Sequence, residues 1–358
     1  MIHSIDKPRV SVVMPAHNVD AYVTRAVESL QRQTMEDFEL LVVDDGSTDH
    51  TGDILDRLAD RDLRIDVFHR VEPGTSAARN LALDHARGEY VMFMDAHDWA
   101  EPHMLAGLVS LSDANRLELA ISGFYIDTYV GDSGDYRAEV RACPDAVYDT
   151  QADFRAAAWQ IFEANQLYQP WGKLFLRSRI EGLGLRFAPA PQAGFPFVLG
   201  FIRDVERVGV LSHPYYHFTY RSGVAKAAGW HPGLYERREE EHGLLLDLYR
   251  HWGLDGDPAS MEMVQRRYLE RLLGCIQNVC DPACDLPDAE KRARVQTMIS
   301  SDRAQLAAQV ARPRNRMMAL MLSPIRSKNV TMTMAEGRFI SYVGQRDAQE
   351  LTPLEARC

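Results

Sequence analysis

Glu39–Asp49 reads ELLVVDDGSTD: the apolar run Leu40 to Val43 meets two adjacent acids and a glycine, then Ser47-Thr48-Asp49. A compact β-branched run of this kind predicts a buried strand, and its polar end predicts a loop open to ligand. Ser47, Thr48 and Asp49 are helix N-cap types, and Ile54, Leu55 and Leu58 follow at helical spacing, so a helix is expected to open there. Upstream, Val10, Val12, Val13 and Met14 form a similar strand that stops at Pro15. Tyr22, Val23, Ala26, Val27 and Leu30 then continue as an amphipathic helix. Downstream, Ile65–Phe68 reads as a third strand, Thr75–Ala86 as a third helix, and Tyr90–Met94 as a fourth strand running into Asp95.

Near-continuous apolar strands alternating with amphipathic helices predict an α/β domain, Rossmann-like, with a mostly parallel sheet flanked by helices. Ligands of such sheets sit at the carboxyl ends of the strands. Three polar clusters occupy those ends: Pro15-Ala16-His17-Asn18, Asp44-Asp45-Gly46-Ser47 and Asp95-Ala96-His97-Asp98. A further strand is expected over Leu117–Tyr125, loop from there to Tyr148, and short elements of the same domain between Trp171 and Arg221. Beyond that the pattern turns helical, with helices expected over Met263–Val279 and Asp288–Val310, Pro258 before the first and Pro313 after the second. The expected domains are 1–224 and a helical region, 225–358, that contacts acceptor or a membrane surface.

Of the 358 residues, 46% are hydrophobic and 25% charged, the composition of a folded globular chain. A net charge of −11 argues against nucleic acid as a partner. The cysteines, Cys143, Cys275, Cys280, Cys284 and Cys358, are odd in number and form no CxxC pair; free thiols in a reducing, cytoplasmic setting are expected. Met1–Arg9 carries no apolar leader, and no run of the length needed to span a bilayer occurs. No GxGxxG follows the first strand, which removes a dinucleotide-dependent oxidoreductase.

The stretches VSVVMPAHN (10–18), ELLVVDDGSTD (39–49), GTSAARNLAL (74–83) and GEYVMFMDAHDW (88–99) resemble, in order and spacing, the bacterial family 2 glycosyltransferases. PWGKLFLRSRIEGLGLRF (170–187) and YYHFTYRSG (215–223) are similar to that family's acceptor-side half. The resemblance covers residues 8–225 and implies a GT-A fold. It also implies transfer of a hexose-type sugar from a nucleotide-sugar donor, a UDP-sugar, to a saccharide or lipid-linked acceptor in cell-surface polymer synthesis.

The resemblance implies that Pro15, Ala16, His17 and Asn18 line the nucleoside, that Asp45 bonds the base, and that Arg79, Asp95 and Ala96 meet the nucleotide. Structural roles stand beside these: Asn18 and the Asp44-Asp45 pair as helix caps, and Arg79 as a surface partner of Asp84. Asp95-Ala96-His97 occupies the family's metal motif with histidine at the ligating end. Asp95 and His97 are therefore metal candidates, with Mn²⁺ favoured over Mg²⁺ because imidazole suits the softer ion; an exposed loop histidine is the alternative.

The family's Glu-Asp base pair aligns with Ala193 and Gly194, counted from Phe197, and neither can accept a proton. Asp98, His213 and His217 are the substitutes to consider. A nucleotide-sugar-binding subunit that partners an active transferase is the competing reading. Between Ala304 and Ala335 lie Arg312, Arg314, Arg316, Arg326 and Lys328 with no acids, interleaved with Met317, Met318, Leu320, Met321, Leu322 and Ile325. That pattern fits either peripheral contact with the anionic inner face of the cell membrane or a core helix with a solvated basic rim.

Overall fold

A computed structural model describes residues 7–130, 136–190, 193–222 and 230–346. The boundary expected at Val224, the first six residues and Cys358 lie outside the described residues. The chain divides into two compact units, Met1–Tyr220 and Arg221–Cys358.

The first unit opens with β1 (Val10–Ala16), α1 (Val23–Gln31), β2 (Phe38–Asp45), α2 (Thr51–Ala59), β3 (Ile65–Arg70), α3 (Thr75–His85) and β4 (Tyr90–Phe93). β1 runs parallel to β2 and β4, and β2 parallel to β3. Every residue of β2 is buried, as its unbroken apolar run requires of a strand covered on both faces. The register sets Ala16 beside Asp44 and Asp45 beside Arg70, which aligns the polar strand ends along one edge. α2 starts at Thr51, later than its cap-type residues suggest, and its N-cap, His50, makes no side-chain cap bond. Ser47 Oγ accepts the Asn18 N–H (3.0 Å), and Asp49 accepts the N–H groups of Asp20 (3.2 Å) and Thr51 (3.0 Å).

The chain continues with β5 (Trp99–Ala100), α4 (Met104–Asn115), β6 (Leu119–Val130), β7 (Tyr136–Arg141) and β8 (Ala146–Tyr148). α5 (Gln151–Glu163), β9 (Lys173–Leu176), α6 (Arg177–Gly182), α7 (Gly194–Ile202) and β10 (Val208–Ser222) complete it. The sheet order is β3-β2-β1-β4-β9-β6-β10-β5, with β7 on β6 and β8 on β10. The sheet is thus mixed: the four strands of the opening pattern are parallel, and β9 joins antiparallel to β4 and to β6. β7 and β8 fall where the sequence reads as loop, since β7 alternates small and aromatic residues with charges and buries none of them.

The second unit holds α8 (Leu234–His251), α9 (Pro258–Cys280), α10 (Asp288–Ser300), α11 (Asp302–Val310), α12 (Arg316–Arg326) and α13 (Val330–Arg346). Pro258 occupies the first turn of α9, where its missing N–H costs nothing, and Asp257 caps the helix through the Ser260 N–H (2.8 Å). The single helix expected over Asp288–Val310 is two. Ser301 is extended (φ −61°, ψ 147°), and its hydroxyl accepts the Ala304 N–H at 3.2 Å, ending α10 and capping α11. Met318, Met321, Leu322 and Ile325 belong to the core around α9, while Arg312, Arg314, Arg316, Arg326 and Lys328 are exposed. Among the described residues no helix is long and apolar enough to cross a membrane.

Candidate functional site

The ends of β1 and β2 are tied by short polar contacts. Asp45 is 2% exposed; its carboxylate accepts from the Arg70 guanidinium and from the Gly74 N–H at 2.7 Å. Gly46 follows in the left-handed region (φ +72°), where a Cβ would stand 2.8 Å from the Val71 carbonyl oxygen, so the turn admits only glycine. His17 Nδ1 donates to the Asp45 carbonyl at 2.8 Å, which fixes its tautomer. Asn18, at φ +50°, accepts the Thr48 N–H through Oδ1 (2.8 Å). It therefore stitches two loops together rather than capping α1, which has no side-chain cap. Asp44 supports its own turn through the Ser47 N–H (3.1 Å) and meets His69 Nδ1 at 3.0 Å; His69 Nε2 lies 2.9 Å from Asp56. The hydrogen bond to Asp44, then that to Asp56, raises the His69 pKa.

The end of β4 carries the second half of the site. Arg79, on α3, pairs with Asp95 at 2.7 Å. Its expected alternative partner, Asp84, instead binds Arg186 (2.8 Å). Ala96 is buried, and ligand atoms of Asp95, His97 and Asp98 lie within 4.8 Å of one another. His97 Nε2 is buried with no hydrogen-bond partner, an orphaned donor atom beside two carboxylates. That set of one imidazole nitrogen and carboxylate oxygens fits a divalent cation. Asp98 is fully buried and accepts from the Tyr216 hydroxyl (2.6 Å) and the Thr219 N–H (2.9 Å). Burial, then the nearby Asp95 charge, pushes its carboxyl well above the ordinary range. Arg25 reaches from α1 to the His97 carbonyl (3.2 Å), the Thr219 hydroxyl (2.9 Å) and the Tyr129 hydroxyl (2.7 Å), and so anchors the loop.

Ala193 and Gly194 form the start of α7. A Cβ on Gly194 would stand 2.8 Å from Pro170 Cδ and 3.4 Å from Gln169 Oε1, so packing leaves no room for a carboxylate there. Lys173 lies nearby in the chain, donating to the carbonyls of Gln169 (2.7 Å) and Trp171 (3.1 Å); burial pushes its pKa down to about 7. His217 stacks on Trp99 (ring centroids 3.4 Å apart) and on Tyr125 (4.3 Å). Its ring nitrogens face Asp127 (2.9 Å) and Glu101 (3.1 Å). His213 lies against Tyr215, on the same strand.

Sequence reasoning did not single out Arg25, Arg70, Tyr216 or Thr219, which hold the acids and the metal-motif loop. Arg70 carried a signal: it ends β3, beside the acids that end β2. The others are joined to the site by contacts of long sequence separation, which local pattern does not encode.

Residues 11–190, half of the chain, match the family described as Glycosyl transferase family 2. The chain belongs to glycosyltransferase family 2, and its fold is of GT-A type. It is 29% identical over 294 residues to the Bacillus subtilis glycosyltransferase EpsJ, spanning 80% of this chain and 83% of that one. With the Streptococcus pneumoniae glycosyltransferase GlyA it shares 26% identity over 248 residues, which is 67% of this chain and 35% of GlyA. The crystal structure of S. aureus TarS in complex with UDP-GlcNAc superposes with a TM-score of 0.63 at 18% identity, covering 95% of this chain and 92% of that one. At that identity the likeness is one of fold.

Proposed function

We propose that the chain moves a sugar from a UDP-sugar to a saccharide or lipid-linked acceptor, with inversion at the anomeric carbon. The observation that carries this reading is the cluster of Asp95, His97 and Asp98 at the end of β4, with Arg79 paired to Asp95. Pro15, Ala16, His17 and Asn18 line the nucleoside, Asp45 bonds the base, and Arg79, Asp95 and Ala96 meet the ribose and diphosphate. His97 and Asp95 would hold a divalent cation, with Asp98 beside them, and Mn²⁺ is favoured over Mg²⁺. The cation, when bound, neutralises charge on the diphosphate leaving group. That UDP-GlcNAc is bound by the TarS neighbour supports the donor class.

Asp98 is a poor proton acceptor for the transfer, since it is fully buried and already accepts two hydrogen bonds. The packing over Gly194 favours a second reading, a nucleotide-sugar-binding partner of an active transferase. The proposed division is a GT-A domain over 1–224 and a helical region over 225–358. The latter's exposed cations and Leu320, 57% exposed, suit peripheral contact of a cytoplasmic protein with an anionic membrane face. The deciding experiment is donor binding and donor hydrolysis across nucleotide-sugars with Mg²⁺ and with Mn²⁺. Cation-dependent binding with turnover supports the enzyme, binding without turnover supports the partner subunit, and no binding overturns both.

A further inference from the structure

β6 holds one side of β7, from Tyr129 opposite Tyr136 to Phe124 opposite Arg141. Among the described residues no strand pairs with the other side. Residues 136–140 are all exposed, Tyr136 by 44% and Val140 by 51%. A strand edge in this state offers a row of unpaired N–H and C=O groups to any extended chain. Charges usually protect such an edge by repelling what approaches. Here their order selects one partner.

Consider two copies of β7 running antiparallel about Ala138. Ala138 then faces its own copy, Arg137 faces the copy's Glu139, Glu139 faces the copy's Arg137, and Tyr136 faces the copy's Val140. Arg137 and Glu139 each meet the opposite charge, and each aromatic ring meets a β-branched side chain, both favourable cross-strand pairs. Centring on Val140 pairs Glu139 with Arg141 but sets Arg137 opposite Cys143, past the end of the strand, and so leaves its charge unmatched; the remaining registers fail. Centring on Glu139 sets Glu139 against itself and Arg137 against Arg141, and centring on Arg137 sets Arg137 against itself. A shift by one residue turns Arg137 towards Val140 and flips the faces. The backbone agrees: facing residues differ by an even number, so their N–H and C=O groups point to the same side and a ladder about Ala138 can close. Glu139 also pairs with its own Arg141 at 2.7 Å and keeps a side chain 49% exposed.

We infer that β7 is the two-fold pairing strand of a homodimer, in which the sheets of two copies join edge to edge. The arrangement is isologous, each copy giving and receiving the same contacts.

Sedimentation velocity of the full chain over a micromolar concentration series tests it. Wild type should show a reversible monomer–dimer equilibrium. Arg137→Glu and Glu139→Arg, each alone, set like charges opposite twice over and should raise the dimer dissociation constant about tenfold or more. Mixing the two variants should restore association, because each supplies the sign that the other lacks, and the double variant R137E/E139R should dimerise by itself. Recovery on mixing also shows that both variants are folded. A wild type that stays monomeric, single variants with unchanged dimerisation, or a mixture that fails to associate would each overturn the inference.

Discussion

At the ends of β1, β2 and β4 the acids are held by partners: Asp45 by Arg70 and Gly74, Asp44 by Ser47 and His69, Asp95 by Arg79. The start of α7 is built in the opposite way, with Gly194 packed against Pro170 and neither it nor Ala193 carrying a polar side chain. The first region is a fixed set of paired charges, its carboxylates already held by hydrogen bonds and ion pairs. The second is a position where any side chain on Gly194 would crowd Pro170. The two are carried by different elements, so under the proposed function donor binding and acceptor activation can change independently.

The comparison breaks most readily on the donor side. Arg79→Ala and Asp45→Ala should each weaken nucleotide binding by about 1–3 kcal/mol, the usual cost of a lost charged hydrogen bond. Calorimetry that finds wild-type affinity in both would remove the site. On the other side, Gly194→Asp should destabilise the fold by about 1–3 kcal/mol, the range for overpacking a filled position, and should not raise turnover. A variant that melts like wild type and turns over faster would mean that Pro170 yields and that the missing carboxylate was the sole defect.

The remaining effects sharpen the donor side. Nucleotide should be held with Mn²⁺ about tenfold better than with Mg²⁺, and His97→Asp should narrow that gap. Cation-assisted binding should also weaken as pH falls and histidine protonates, because only neutral imidazole can ligate. Binding that ignores the cation at both acid and neutral pH would exclude His97 as a ligand.

His69 gives the smallest effect. Its pKa is raised from 6.5 by Asp44 and then Asp56, so its contribution is complete below 6.5 and is lost as pH rises through the folded value. The side chain is 46% exposed, so screening reduces the effect to about a few tenths of a kcal/mol. Thermal melts of wild type and His69→Gln across that window should differ in slope, and parallel profiles would show that the Asp44 contact adds nothing.

Much of this architecture was written locally. Runs such as Leu40–Val43 encode the parallel strands because burial on both faces demands unbroken apolar sequence, and acids directly after a strand mark its ligand-facing end. The strand at Tyr136–Arg141 was illegible because an exposed strand needs no apolar stripe. The break at Ser301 was missed because a serine between two helical patterns does not disturb their periodicity. At the site, the acids could be named but not their partners: Arg25, Tyr216 and Thr219 reach the His97 loop through tertiary folding. The close packing over Gly194 likewise depends on Pro170, a neighbour only in space.

The thiols described above have a use beyond packing. Cys143, Cys275, Cys280 and Cys284 are buried and free, and burial pushes the first three to about 11, about 12 and about 11. Since the thiolate is the reactive form, an alkylating reagent at neutral pH scarcely modifies the native molecule and waits for it to open. With Cys358→Ser in place, the rate of labelling becomes a clock for local unfolding. One of the four hands lies within Met1–Tyr220 and three within Arg221–Cys358. Peptide mapping of the label over time therefore gives each unit its own opening rate in a single chain altered only at Cys358.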